Sequence, residues 1–438
     1  MELRDLIVTP IIIFLVYAGA YWIRPRVTDS VNRRYFIPAL TVRIIGALAV
    51  GFLYQFYYGG GDTFNFHTHG SRHVWEAFIE NPIIGIKLLL SDGTYSSGTY
   101  NYASKIIFYG DSASYFIVKV ASIFDLITFS SYSATAVLFA VLSFVGSWLL
   151  FLAFYKRSQM LIKWQAVSIL FIPSVIFWGS GLMKDTLTFM AVGFLTYSVG
   201  EIFITRKFLV IRFILLLTGL FILFNVKKYI LLCYLPAALL WVFAGRLARI
   251  RSLALKVLIM PIIAFMLILC GYYSIILVGK DDPRYAIDRL AATAKITAYD
   301  IGFYTGRDAG SGYSLGELDG TLSGMFYKIP QAINVSLFRP YIWEIRNPLM
   351  LLSAIESFVF TILTLYVLIY RRSIIIRSMG DPIIVFCLVF SLTFAFAVGI
   401  STFNFGTLAR YKIPMLPFYA LSLGYILNYS KRERKVTA

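Results

Sequence analysis

Residues 133–155 have the sequence SATAVLFAVLSFVGSWLLFLAFY, and the basic pair Lys156-Arg157 follows directly. The stretch contains no charged side chain. As a helix that rises about 1.5 Å per residue, it is long enough to cross the hydrocarbon core of a bilayer, about 30 Å thick. Comparable apolar runs lie near 6–23, 35–57, 165–181, 183–204, 208–226, 229–245, 256–278, 348–370, 382–402 and 413–429. We therefore predict an all-α, polytopic membrane helix bundle of about 11 spans.

The composition of the 438 residues agrees with this prediction. Hydrophobic residues make up 59% of the chain and charged residues 14%, against about 45–50% and about 25% in soluble globular proteins. A water-soluble enzyme of several domains is thereby excluded. The positive-inside rule accounts for most of the net charge of +18, so we predict the lipid bilayer as a partner and no nucleic acid.

Basic residues collect in alternate connections between the apolar runs. These residues are Arg24, Arg26, Arg33, Arg34, Lys156, Arg157, Lys163, Arg206, Lys207, Arg246, Arg249, Arg251, Lys256, Arg371, Arg372, Arg377, Lys431, Arg432, Arg434 and Lys435. Because cytoplasmic loops accumulate Lys and Arg, the bias predicts an outside N-terminus and a cytoplasmic C-terminus.

Residues 1–438 are predicted to form a single transmembrane domain with two large extracytoplasmic segments, 58–132 and 279–347. The first segment contains two amphipathic stretches, Ile83–Leu90 and Tyr115–Phe129, which suit helices that lie flat in the membrane interface.

The first candidate site follows the second apolar run. Residues 57–73 have the sequence YYGGGDTFNFHTHGSRH and contain all three histidines of the chain. If a helix begins after the glycines, Asp62 or Thr63 caps it. In that helix His69, His73, Glu76 and Glu80 share one face.

Two interpretations of this stretch stay open. Histidines four residues apart can bind a metal ion, and the alternative is a solvated polar face. We expect no cofactor, with a divalent metal as the less favoured alternative. Asp62 lies where an external loop meets the membrane surface, so it is predicted to be catalytic or substrate-binding. Its alternative role is the helix cap.

The second candidate is a sharp reversal, Phe177–Asp185, with the sequence FWGSGLMKD. Its two glycines permit a tight turn, and Asp185 is placed in the first turn of the next helix, where the dipole favours it. Lys184 is well placed to meet a lipid phosphate. The alternative is a capped hairpin whose lysine reaches toward headgroups.

The third candidate is a set of cations on the side that positive-inside sorting should deplete. These are Lys227, Lys228, Arg284, Arg289, Arg307, Arg339, Arg346, Arg410 and Lys412. Arginine binds phosphate in a bidentate manner and keeps its charge at biological pH. An anionic ligand at the outer leaflet explains the set, and interface anchoring is the alternative for single members.

Together these motifs resemble integral-membrane glycosyltransferases of the GT-C type and polymerases of the O-antigen class. The shared features are Gly61-Asp62-Thr63, the polar reversal ending at Asp185, and Arg410-Tyr-Lys-Ile-Pro414-Met-Leu-Pro417. The stretch Phe338-Arg-Pro-Tyr-Ile-Trp-Glu344, followed by a span that contains Glu356, is similar to uncharacterised envelope-polysaccharide membrane proteins. The chain departs from the GT-C pattern in having one additional span before the acidic loop and a lone Asp62.

The resemblance implies a polyprenyl-(di)phosphate-linked sugar as donor, a glycan as acceptor, and a multi-pass location in the bacterial inner (cytoplasmic) membrane. It implies Asp62 as the catalytic residue. The implied substrate and phosphate-binding residues are Lys184, Asp185, Lys227, Lys228, Arg339, Arg346, Arg410 and Lys412, with polar support from His67, His69, His73 and Glu344. The alternatives are a transporter or flippase of lipid-linked sugars, expected to have broken helices, and a non-catalytic membrane partner of such a machine.

Overall fold

The computed structural model describes residues 2–247, 269, 272–273, 275–303 and 310–430. Throughout that part the regular structure is helical, and the one β element is an isolated bridge between Gly312 and Asn404. The predicted all-α class is therefore confirmed for the described residues.

Seven described helices are long and apolar enough to cross a membrane, which makes this a multi-pass membrane protein. They are Leu3–Val27, Arg33–Tyr57, Tyr132–Tyr155, Lys184–Ile204, Lys228–Arg246, Pro348–Tyr370 and Pro382–Thr402. Each coincides with an apolar run of the sequence to within a few residues. Their inside or outside orientation and the total of about 11 spans stay predictions.

The other apolar runs form shorter helices. The run at 165–181 divides into Ile162–Leu170 and Pro173–Trp178. The break falls at residues 171–172, directly before Pro173, since proline lacks an N–H and disfavours helical backbone at the residue before it. The runs at 208–226 and 413–429 form Val210–Val226 and Leu416–Leu427. The predicted span at 256–278 lies mostly outside the described residues, as do the basic tail at 431–435 and Arg307.

The chain divides into two compact units. The first comprises residues 1–152, 175–195 and 214–227, and the second comprises 153–174, 196–213 and 228–438.

In the first unit, the segment between the spans that end at Tyr57 and begin at Tyr132 folds into short helices. They are Asp62–Phe66, the π-helical turn His67–Ser71, Arg72–Glu80, Pro82–Leu90, Tyr100–Ala103 and Ser112–Thr128. Both predicted amphipathic stretches are helical. Ile83 and Leu90 are 66% and 77% exposed, as expected for a face that contacts lipid. The interfacial location of these helices stays a prediction.

Close helix packing holds the first unit together. A Cβ atom added at Gly193 would lie 2.1 Å from the carbonyl oxygen of Gly146, and one at Gly46 would lie 2.4 Å from that of Ile176. Only glycine permits such approaches, which are typical of membrane helices. The fully buried Arg43 adds a hydrogen bond of 2.6 Å from Nη1 to the Val175 carbonyl. These contacts fix the backbone that leads into the reversal before Lys184.

In the second unit, the long helices Lys228–Leu247, Pro348–Tyr370 and Pro382–Thr402 accompany shorter ones. The shorter elements are Gln159–Leu161, Ile162–Leu170, the π-helical turn Gly200–Ile204, Pro283–Tyr285, Leu290–Ile301, Leu322–Tyr327, Ile329–Phe338, Ile342–Glu344, Arg372–Ser378, Phe405–Tyr411 and Leu416–Leu427. A Cβ atom at Gly399 would lie 2.1 Å from the Ala332 carbonyl oxygen, so the helix Ile329–Phe338 packs tightly against the span Pro382–Thr402.

Candidate functional site

Charged residues from separate parts of the sequence meet in the first unit. The Lys184 Nζ lies 3.2 Å from Asp111 Oδ2, and the Lys227 Nζ lies 2.5 Å from Asp185 Oδ1. Asp62 and Lys227 lie within electrostatic range of Lys184. We call these five residues the charged cluster: Asp62, Asp111, Lys184, Asp185 and Lys227. The structure thus brings together four residues that the sequence analysis selected.

Three helix ends build the charged cluster. The span Arg33–Tyr57 ends shortly before Asp62, the span Lys184–Ile204 begins at Lys184, and the helix Val210–Val226 ends directly before Lys227. Helix ends leave backbone groups without intrahelical partners and lie where spans meet water. The cluster therefore occupies one end of its spans.

Three glycines set the position of Asp62. Gly59, Gly60 and Gly61 have φ angles of 68°, 141° and 119°, a region that only glycine adopts readily. Gly61 takes the N-cap position and Asp62 is the first residue of the short helix. The expected cap by Asp62 or Thr63 is therefore not what forms, and the Asp62 carboxylate is half-buried instead.

Asp111 is the member of the charged cluster that sequence reasoning missed. Its side chain is 52% exposed and that of Lys184 26%. Burial acts to raise the pKa of Asp111, but the Ser114 hydroxyl that donates to it and the charge and hydrogen bond of Lys184 outweigh burial, so the pKa lies below its ordinary value. Asp111 is thus a carboxylate at neutral pH.

The Asp185–Lys227 pair is the buried part of the charged cluster. The two side chains are 2% and 9% exposed. A charge in such a position is stable only with its partner, because removing one group leaves the other buried and unpaired. This pair therefore fixes the reversal to the end of the helix Val210–Val226. The Lys184–Asp111 pair is more exposed to solvent.

The remaining predicted cations lie in the second unit. Lys228 pairs with Asp281, and Lys412 is buried with its Nζ 3.4 Å from Ser357 Oγ. Arg339 forms a bidentate pair with Glu344, with Nε 3.0 Å from Oε2.

Arg339, Glu344 and Arg346 are therefore close together. Burial acts to raise the pKa of Glu344, yet the hydrogen bonds from Arg339 and the Tyr341 backbone, with the charges of Arg339 and Arg346, lower it. Arg410 lies in the last turn of the helix Phe405–Tyr411.

The predicted single helical face of His69, His73, Glu76 and Glu80 does not form. The π-helical turn and a non-helical φ/ψ pair at His69 interrupt the helix expected there, so the spacing of His69 and His73 is not that of a regular helix. His73 Nδ1 instead lies 2.9 Å from Glu76 Oε2. Among the described residues no group of three or more His, Cys, Asp or Glu side chains is arranged to bind a metal ion.

His67 is fully buried beside a carboxylate that the sequence analysis did not select. Its Nε2 lies 3.4 Å from Asp125 Oδ1, and both side chains are 0% exposed. The Asp125 carboxylate accepts hydrogen bonds from Ser71 Oγ at 2.6 Å and Thr135 Oγ1 at 2.7 Å. This polar core ties the π-helical turn after Asp62 to the span Tyr132–Tyr155.

No family model, curated protein or solved structure matches this chain.

Proposed function

We propose that this protein is a membrane glycosyltransferase or oligosaccharide-repeat polymerase that uses a polyprenyl-(di)phosphate-linked sugar donor at the outer leaflet. Cell-envelope polysaccharide or glycan assembly is the process it serves. The observation that carries the proposal is the charged cluster, in which the Asp62 carboxylate lies within electrostatic range of Lys184 at one end of the spans.

Glycosyl transfer needs two kinds of group at one place. The acceptor hydroxyl oxygen forms a bond to the anomeric carbon as the bond from that carbon to the phosphate oxygen breaks. The phosphate leaves with the bonding electrons, and the hydroxyl proton passes to a base. A carboxylate supplies the base, and ammonium groups stabilise the charge that develops on the phosphate. The charged cluster contains both.

The two ion pairs of the cluster suit different roles. Asp185 holds Lys227 in a buried position, so this pair supports the site. Lys184 is paired with Asp111 in a half-exposed position, where exchange of a carboxylate for a phosphate is inexpensive because exposed pairs contribute only about 0.2–1 kcal/mol. In this proposal Lys184 binds the donor phosphate, and Asp62 receives the proton with Asp111 nearby.

We also propose that four residues of the second unit bind phosphate or glycan: Arg339, Arg346, Arg410 and Lys412. The bidentate contact between Arg339 and Glu344 shows the geometry with which a guanidinium also binds phosphate.

A reconstituted assay tests the proposal. Purified protein in vesicles receives a polyprenyl-diphosphate-linked oligosaccharide and an acceptor glycan, and product is measured by chromatography. Wild-type protein is expected to form a new glycosidic bond, and Lys184→Gln is expected to lose most of that activity. An intact donor in every donor and acceptor combination would contradict the proposal.

A specific observation favours one second candidate, a transporter or flippase of lipid-linked sugars. The second unit has a helix break at Phe171–Ile172, after which Ser174 donates to the buried Glu356 through its N–H at 3.1 Å and its hydroxyl at 2.8 Å. Lys412, between two short helices, lies within electrostatic range of Glu356. Broken helices with charged residues are typical of transport sites. Movement of the donor across the vesicle membrane without its cleavage would support this candidate.

A further inference from the structure

Three cations surround one buried carboxylate in the second unit, and none of these four residues belongs to the site proposed above. Glu201 Oε2 lies 3.2 Å from Arg212 Nη2 and 3.6 Å from Lys156 Nζ, and Glu201 Oε1 lies 4.0 Å from Arg157 Nη2. We call Lys156, Arg157, Glu201 and Arg212 the basic site. The Glu201 side chain is 2% exposed, and Arg157 and Arg212 are each 10% exposed.

The local fold holds the Arg157 guanidinium in place. It lies over the Trp241 ring, 5.2 Å from the centroid, and its Nη1 donates to the Ala153 carbonyl. It also rests against Gly200, where an added Cβ atom would lie 2.5 Å from Nη2. Gly200 begins the π-helical turn Gly200–Ile204, and because it has no side chain it leaves room for the guanidinium.

The charges of the basic site do not balance. Among the described residues one carboxylate faces three cations, and the Nε and Nη2 groups of Arg157 are buried with no hydrogen-bond partner in that part of the chain. Buried charges and buried donors are ordinarily paired, since an unpaired one loses its hydration without compensation. A phosphate group supplies the missing charge and accepts hydrogen bonds from a guanidinium in a bidentate manner.

The surroundings indicate that the phosphate belongs to a lipid. Arg212 lies within a run of apolar side chains that are exposed at the protein surface. They are Phe203 (40% exposed), Phe208 (63%), Val210 (76%), Ile211 (56%) and Phe213 (41%). The Phe208 and Phe213 rings stack with centroids 6.3 Å apart. A soluble anion makes no favourable contact with such an apolar surface, whereas the acyl chains of a lipid pack against it.

We propose that the basic site binds the phosphate headgroup of an anionic phospholipid, with its acyl chains over the Phe208–Phe213 surface. Under the predicted topology this is the cytoplasmic leaflet, where anionic lipids attract clusters of Lys and Arg. The proposal concerns a residue set separate from the charged cluster and does not depend on glycosyl transfer.

Lipid titration of the purified full-length protein tests the proposal. Dioctanoyl phosphatidylglycerol and dioctanoyl phosphatidylcholine are added in detergent, and bound lipid is counted by native mass spectrometry. We expect phosphatidylglycerol to bind at least about tenfold more tightly, because one charge-assisted bidentate contact corresponds to a tenfold or larger change. Arg157→Gln is expected to abolish the preference. Arg377→Gln, which removes an exposed cation, serves as the matched control and keeps it.

Two further variants separate binding from folding. Arg157→Lys keeps the charge and loses the planar fork, so an intermediate affinity is expected. Lys156→Gln changes a 41% exposed side chain and is expected to weaken phosphatidylglycerol binding about threefold with unchanged helicity. Equal binding of both lipids, or wild-type affinity in Lys156→Gln and Arg157→Lys alike, would overturn the proposal. Displacement of phosphatidylglycerol by an equal concentration of inorganic phosphate would overturn the lipid assignment in favour of a soluble anion.

Discussion

Replacement of Lys184 by Gln separates a structural ion pair from a phosphate ligand. In the structure the Lys184–Asp111 contact measures 3.2 Å, and the two side chains are 26% and 52% exposed. Such a pair contributes about 0.2–1 kcal/mol to stability. A lysine that binds a phosphate oxygen in a partly dehydrated site contributes about 1.5–3 kcal/mol to the bound state. Loss of a structural ion pair therefore lowers the melting temperature, whereas loss of a phosphate ligand lowers the rate of sugar transfer.

If Lys184 binds the donor phosphate, Lys184→Gln lowers the transfer rate per folded molecule about ten- to a hundredfold, because each 1.4 kcal/mol is tenfold. Its melting temperature shifts by only a few degrees. Asp111→Asn releases Lys184 from its partner and is expected to leave the KM for donor unchanged or lower. Initial rates in vesicles and thermal melts of the same preparations provide the assay.

Lys87→Gln is the matched control, since Lys87 is an exposed cation of the segment 58–132, which also contains Asp111. We expect it to retain wild-type rates. A large loss of stability in Lys184→Gln, together with unchanged turnover per folded molecule, would show that Lys184 is structural and refute the phosphate assignment.

Three further predictions follow from the fold. Because the pKa of Asp111 is lowered in the folded protein, the Asp111 carboxylate stabilises the fold at pH values above its ordinary pKa. This stabilisation is lost as the pH falls through the lowered pKa. The melting temperature of Asp111→Asn should therefore decline less at acid pH than that of the wild type. Gly193→Ala should destabilise by about 1–3 kcal/mol, since its Cβ would collide with a backbone carbonyl, whereas Gly19→Ala, whose Cβ has no neighbour within 4 Å among the described residues, should not; equal melting temperatures would contradict the packing. In intact spheroplasts a cysteine at Ser97 should label with an impermeant thiol reagent and one at Ser252 should not, and the reverse pattern would invert the topology.

Much of the helical framework was predictable because the length and hydropathy of each apolar run are enough to predict a helix there. The span Lys184–Ile204 begins where the reversal Phe177–Asp185 predicts a helix start. The break before Pro173 was missed, although proline is the residue that marks it, because hydropathy averages over such a short interruption. A π-helical turn at His67–Ser71 depends on how the turn packs, and no local pattern predicts it.

The site was predictable only in part. Sequence reasoning found four members of the charged cluster because each stands in an unusual local context. Asp62 follows a glycine run, Lys184 and Asp185 end a sharp reversal, and Lys227 lies at a basic junction between helices. Asp111 precedes an amphipathic helix and its local pattern indicates an N-cap. Its contact with Lys184 joins residues 73 positions apart, and single-sequence reasoning has no means of pairing residues at that separation.

The rate of sugar transfer by Asp62→Asn tests the central claim most directly. Asparagine keeps the size and hydrogen-bonding capacity of the side chain but takes no proton. In vesicles with lipid-linked donor and acceptor, we predict that this variant folds, binds donor, and transfers sugar at least about a hundredfold more slowly. Asp92→Asn, an exposed aspartate of the same segment, is predicted to retain wild-type turnover. Near-wild-type turnover by Asp62→Asn would contradict the account.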